Sequence, residues 1–208
     1  VWDNDAVNGS KSRRSPVMSW KAPALYEMDK AMTENAEKMN ASMSTSAAQA
    51  EALREEFKDM QKELMDQNSS SWERNQKMQS MLDKNLQIKK NLENLKKRLE
   101  EQEKQADAKE LSEDFKEKQE AIKEQIDNLK DKQLEEQMQK LQEMLQQKNQ
   151  QNQMQQMQQM EQNNKLFQMD MERLQELMKK LEMQLNMENV AKKLEQLAAQ
   201  QEKIEQAT

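Results

Sequence analysis

From Met78 to Leu99 the apolar residues step by threes and fours: Met78, Met81, Ile88, Leu92, Leu95 and Leu99, with the polar Asn85 on the same row. Leu82 and Leu86 widen this heptad stripe by a single neighbouring row. A stripe so narrow cannot close a globular core by itself and has to lie against another helix. The rest of the chain permits this on a large scale. The one glycine, Gly9, and both prolines, Pro16 and Pro23, precede Ala24, and nothing after them forbids helix.

Composition narrows the function classes. Of 208 residues, 34% are hydrophobic, 35% charged and 3% aromatic, which is the balance of long helices whose core is a seam. Disorder is the rival reading of so polar a chain, but disordered tracts lack sustained apolar spacing. The net charge of −6 is spread over interleaved acids and bases, as in "LKKRLEEQEKQ", and no basic stripe offers itself to nucleic acid. Histidine and cysteine are absent. The commonest general base is therefore missing, together with thiolate chemistry, and after Gly9 there is no glycine for a phosphate-cradling loop. The carboxylates fall on solvated helix faces rather than in a pocket that would shift their pKa. No enzyme, cofactor or metal site is expected. No apolar run approaches the roughly 20 residues that cross a bilayer. The chain begins at Val1 and reads as a segment of a longer protein, so membrane attachment is expected only through segments outside it.

The expected fold class is all-α: an elongated antiparallel coiled-coil or helical-hairpin bundle, preceded by a short β-hairpin left from an upstream β domain. Residues 1–23 supply that hairpin, with Asn8 and Gly9 as its turn. A calcium loop at Asp3, Asn4 and Asp5 lacks the glycine spacing of an EF-hand. Helix 1 is expected over 24–67, its early seam built from Met28, Met32, Ala36, Met39 and Met43. Helix 2 follows over 72–106, after a break in which Ser70 and Glu73 have capping-box spacing. Helix 3 spans 111–148, and its seam slips between Leu129 and Leu134 as a stutter would. Residues 149–164, rich in Gln and Met, read as a helix tip or a turn. Met154, Met157 and Met160 could form a copper-binding methionine box, but such spacing is far more often adaptable packing. Helix 4 covers 165–206, with a break near 186–189. The residues expected to line the helix seams are Met78, Met81, Asn85, Ile88, Leu92, Leu95, Leu99, Phe115, Ile122, Ile126, Leu129, Leu141, Leu145, Leu174, Leu181, Leu194 and Leu197.

Three stretches carry a family likeness: "VWDNDAVNGSKSRRSPVMSWKAP", "SWERNQKMQSMLDKNLQIKKNLENLKKRLEE" and "LQELMKKLEMQLNMENVAKKLEQLAAQQEKI". Together they resemble the middle segment of a large, uncharacterised, membrane-anchored coiled-coil envelope protein family of Bacteroidota, domain of unknown function 4175. The "WDND" hairpin is the most specific part, with Ala6 where the pattern usually has glycine. The resemblance implies membrane spans upstream and a place in the cell envelope, on the periplasmic face of the inner membrane. It carries no catalytic residues.

The function expected from these readings is structural: a coiled-coil arm that scaffolds or bridges a membrane-associated complex. Its partners would be other proteins of an envelope complex or a second copy of itself, without nucleic acid. The alternative is a holdase-like periplasmic chaperone whose methionine-rich helices bind clients. Exposure separates the two, because scaffold methionines belong in seams and client-binding ones in open patches. Asn85 provides a test of its own, since a polar seam residue often fixes register at some cost in stability. Asn85→Leu is expected to raise the thermal midpoint and to loosen the specificity of assembly, read by circular dichroism melting and sedimentation. Lower stability with an unchanged assembly state would contradict this.

Overall fold

The computed structural model describes residues 25–65, 70–146 and 149–206, and the expected hairpin with Asn8 and Gly9 lies outside them. The described chain is all-α. Its elements are α1 (Leu25–Met65), α2 (Ser71–Ala108), α3 (Glu113–Asn128), a π-helical stretch (Leu129–Leu134), α4 (Glu135–Gln146) and α5 (Gln150–Gln206). Helix α3, the π stretch and α4 form one continuous rod. Helix α5 runs unbroken through the Gln/Met-rich stretch and through residues 186–189. Glutamine and methionine are good helix formers, and the buried row on this face keeps its phase through Gln153, Met157, Met160 and Asn164.

Cross-links set the direction of each neighbour. Lys77 pairs with Glu63, Lys84 with Glu56, Asn91 with Gln49 and Arg98 with Asn35. Each step forward on α2 is a step back on α1, so the two run antiparallel. The α3–α4 rod opposes α2 in the same manner through Lys96–Asp127 at 2.6 Å and Lys89–Glu135 at 2.6 Å. Helix α5 opposes the rod through Asn164–Gln137 and Gln184–Lys118, and opposes α1 through Arg54–Gln168 and Asn40–Glu182. Each rod touches two neighbours, and the diagonal backbones, α1 with the α3–α4 rod and α2 with α5, stay more than 8 Å apart. Most of these ion pairs are partly exposed, so they set register more than they add stability.

The core is a stack of heptad levels. On α1 the buried row is Met32, Ala36, Met39, Met43, Ser46, Ala50, Leu53, Phe57, Met60 and Leu64, alternating four and three without a slip. Helix α2 does the same from Met78 to Ala106, and α5 from Gln153 to Leu185. The α3–α4 rod alone breaks step, with a step of five from Leu129 to Leu134, both fully buried. One extra residue in a regular α-helix would turn every later side chain by about 100° and bring polar residues into the core. The widened π turn absorbs that residue and returns Gln137, Leu141 and Met144 to the interior.

Helix ends are closed locally. Ser70 accepts from Glu73 N at 3.1 Å and Ser112 from Phe115 N at 3.2 Å, each such cap contributing about 1 kcal/mol. Between α2 and α3 the chain turns with Glu110 at φ 53. Leu111 N donates to Ala106 O and Glu110 N to Asp107 O, a Schellman closure that here lacks the usual glycine.

The π turn yields a deletion test. Removing Lys132 converts the five-residue step into four and restores an unbroken heptad row. That variant is expected to melt at or above the parent temperature. Removing Glu117 from α3 instead puts the rest of the rod out of phase and is expected to lower the midpoint by more than about 10 °C. Paired thermal melts of the two deletions check this.

Candidate interaction surface

The seam residues named from sequence divide into two groups. Met78, Met81, Asn85, Ile88, Leu92, Leu95, Leu99, Phe115, Ile122, Ile126, Leu129, Leu141, Leu174 and Leu181 lie inside the four-rod core, and Leu145 packs on its edge. Leu194 and Leu197 do not join them: they are 62% and 60% exposed. The reason is phase, since both stand two residues off the buried row and so face away from the bundle, and the length of α5 adds to it. Helix α5 has 57 residues and α1 has 41. Tyr26 and Asp29, near the start of α1, lie beside Lys192, Lys193 and Gln196, and every residue from 193 to 206 is exposed. Past this level α5 has outrun the other described helices.

Besides Ser46 and Gln153, polar residues interrupt the core at three levels. By the register of the cross-links, Phe57, Asn85, Gln137 and Asn164 share one level, where Asn164 Nδ2 donates to Gln137 Oε1 at 3.4 Å. Asn85 Nδ2 donates to its own helix at Met81 O, while Asn85 Oδ1, Gln137 Nε2 and Asn164 Oδ1 make no hydrogen bond among the described residues. Each such buried group costs roughly 1–3 kcal/mol. A second level pairs Gln119 Nε2 with Gln102 Oε1 at 3.1 Å.

The third polar level closes the bundle where the overhang begins. Lys109, at the C-cap of α2, is buried; its Nζ bonds to Asp29 of α1 and to Asn189 Oδ1 of α5 at 2.6 Å. Lys192 donates to the carbonyls of Lys109 and Glu110. Glu188 receives Ser112 N at 3.1 Å, the Ser112 hydroxyl, and Gln184 Nε2 at 3.2 Å, so α5 supplies a carboxylate to the N-terminus of α3. Burial pushes the Glu188 carboxyl up, but the Ser112 hydroxyl and amide, Gln184 and the charge of Lys192 together outweigh it and hold it below 4.5. One junction thus ties α1, the α2–α3 turn and α5 together.

Outside the core, α5 carries a second apolar row, missed by the sequence reading as a separate feature: Met183, Met187, Val190, Leu194 and Leu197, each between 56% and 62% exposed. It steps by fours and threes but runs two residues out of phase with the buried row Met171, Leu174, Met178, Leu181 and Leu185. Two residues correspond to about 200° around a helix, so the row faces away from the bundle. Among the described residues, Lys179, Glu182, Asn186 and Ala191 are the other lining of the shallow depression along it, all from α5 itself. That phase offset is the sequence signal for two faces; read without it, the two rows merge into one seam.

Other candidates resolve into packing. Met157 and Met160 are fully buried and Met154 packs against the core. Among the described residues there is no group of three acidic, His or Cys side chains placed to hold a metal, and no helix long and apolar enough to cross a membrane. No family model, curated protein or solved structure matches the chain.

The Glu188 contacts predict an acid-sensitive junction. A carboxylate whose folded pKa is depressed contributes stability above its unfolded value, lost as pH falls through the folded one. Glu188→Gln is expected to be less stable than the parent at pH 7, with the difference shrinking below about pH 4.5 as both forms become neutral. Urea unfolding of both proteins at pH 7 and pH 3.5 reads this out, and a difference independent of pH would contradict it.

Proposed function

We propose that this chain is a structural and assembly protein of the cell envelope, an antiparallel coiled-coil arm that holds a membrane-associated complex together. Its anchor would lie in segments outside the chain, as the likeness to the membrane-anchored envelope family implies. The observation that supports this best is the division of apolar surface. One row on every rod is spent on a continuous core, and a second row on α5 is left facing outward. Such an arm is long and semi-rigid: 41 helical residues in α1 span roughly 60 Å and 57 in α5 roughly 85 Å. Most methionines sit in the core, including Met32, Met39, Met43, Met60, Met78, Met81, Met144, Met171 and Met178. That favours an arm over a client-binding surface.

A holdase-like chaperone is the second reading, favoured by Met169, Met183 and Met187, which are exposed. Affinity isolation of the full-length protein from solubilised envelopes, followed by mass spectrometry, separates the two. The scaffold reading expects a fixed set of envelope proteins in constant stoichiometry. A broad, substoichiometric spread of unfolded outer-membrane clients would replace it with the chaperone.

A further inference from the structure

We propose that the turn between α2 and α3 is a hinge through which two copies of this chain exchange halves, giving a dimer that builds the same four-rod core twice. The chain consists of two helical hairpins, α1 with α2 and the α3–α4 rod with α5, joined through Lys109–Ser112. The hairpins pack on each other through α1 against α5 and α2 against the rod. Arg54–Gln168 at 2.9 Å, Lys96–Asp127 at 2.6 Å and Gln102–Gln119 at 3.1 Å all cross from one hairpin to the other. A second copy offers each hairpin the identical surface, with the polar levels at the identical heights. That identity selects the occupant. An unrelated helix pair would leave the buried Gln102 without Gln119 and the buried Lys109 without Asn189.

The hinge carries strain that straightening removes. Glu110 sits at φ 53, in the left-handed region that is unfavourable for a residue with a Cβ and that glycine usually fills where a helix stops. The stretch from Gln105 to Leu111 holds neither glycine nor proline and is mostly good helix formers. Besides the Ser112 cap, the bend is held from outside the turn. Lys192 of α5 donates to the carbonyls of Lys109 and Glu110, and Lys109 Nζ reaches Asn189 Oδ1 at 2.6 Å. Once those contacts are released, α2 continues through 109–112 into α3. Glu110 relaxes, and the free carbonyls of one helix end meet the free amides of the other in one ladder. In the straight helix Phe115 stands nine residues beyond Ala106, about two and a half turns, so the core face of α3 points away from that of α2. A straightened chain therefore does not close on itself, and each half takes the complementary half of a second copy. This goes beyond the scaffold reading and stands apart from it, because it concerns the purified chain rather than the envelope proteins it holds.

Mixed-isotope refolding tests the proposal. Equal amounts of 15N-labelled and unlabelled chain are unfolded together in urea, refolded over a wide range of concentrations and separated by size. Dimer is expected to grow with refolding concentration and to persist on dilution, since return to monomer requires the hairpins to separate. A carbodiimide then couples Lys96 to Asp127, the ion pair that crosses between hairpins. In the dimer the joined peptides are expected to include pairs of one labelled and one unlabelled segment, whereas in the monomer both segments share a label. Glu110→Gly relaxes the bend and weakens the straight helix. It is expected to lower the dimer-to-monomer ratio at a given concentration by about tenfold or more, and to raise the monomer's melting midpoint. Glu110 is exposed, so the substitution leaves the core intact. A chain that refolds to monomer at every concentration overturns the proposal. So does a dimer whose joined peptides always share one label, as side-by-side pairing would give, or a dimer fraction that Glu110→Gly does not change.

Discussion

Everything in this molecule depends on phase. A side chain belongs to the core only if its helix keeps the alternating three–four step, and four rods must keep it together over nearly their whole length. No aromatic-rich centre offsets an error, because each level contributes four medium-sized side chains and little more. The one irregular place shows how strict the constraint is. The single residue too many between Leu129 and Leu134 is taken up by a widened turn, while the rows on α1, α2 and α5 remain in step.

The polar levels follow from the same constraint. Leucine and methionine make the heptad row cohesive but nearly uniform, and uniform rows can slide by a heptad at small cost. Asn85 with Gln137 and Asn164, Gln102 with Gln119, and Lys109 with Asp29 and Asn189 stand at distinct heights. Sliding would place each of them against apolar neighbours, where an unpaired amide or ammonium is costly. Stability is spent on a unique alignment. The lysine level adds a boundary, because Lys109, Lys192 and Glu188 seal the end of the bundle where α1 begins and α3 is capped.

What lies past that boundary changes the character of α5. Inside the bundle its apolar row is covered, whereas a second row on the opposite face, starting at Met183 and running into the overhang, is not. The rod is closed on itself along most of its length, with one open stripe near one end. The methionines make the same division, being mainly interior packing with a minority turned outward.

From sequence alone the all-helical class, the buried stripe from Met78 to Leu99, the slip near Leu129 and the role of Asn85 as a seam residue were legible, because helix propensity and heptad spacing are local properties written along the chain. Tertiary structure decided the rest. That Leu194 and Leu197 lie on a different face from Leu181 and Leu185 is written in their two-residue phase offset, but which of the two faces the neighbouring helices cover was decided by tertiary packing. That Lys109 is buried depends on Asp29 and Asn189 arriving beside it from distant parts of the chain. A repeat specifies which residues share a face. Only the placement of the neighbouring helices specifies whether that face is covered.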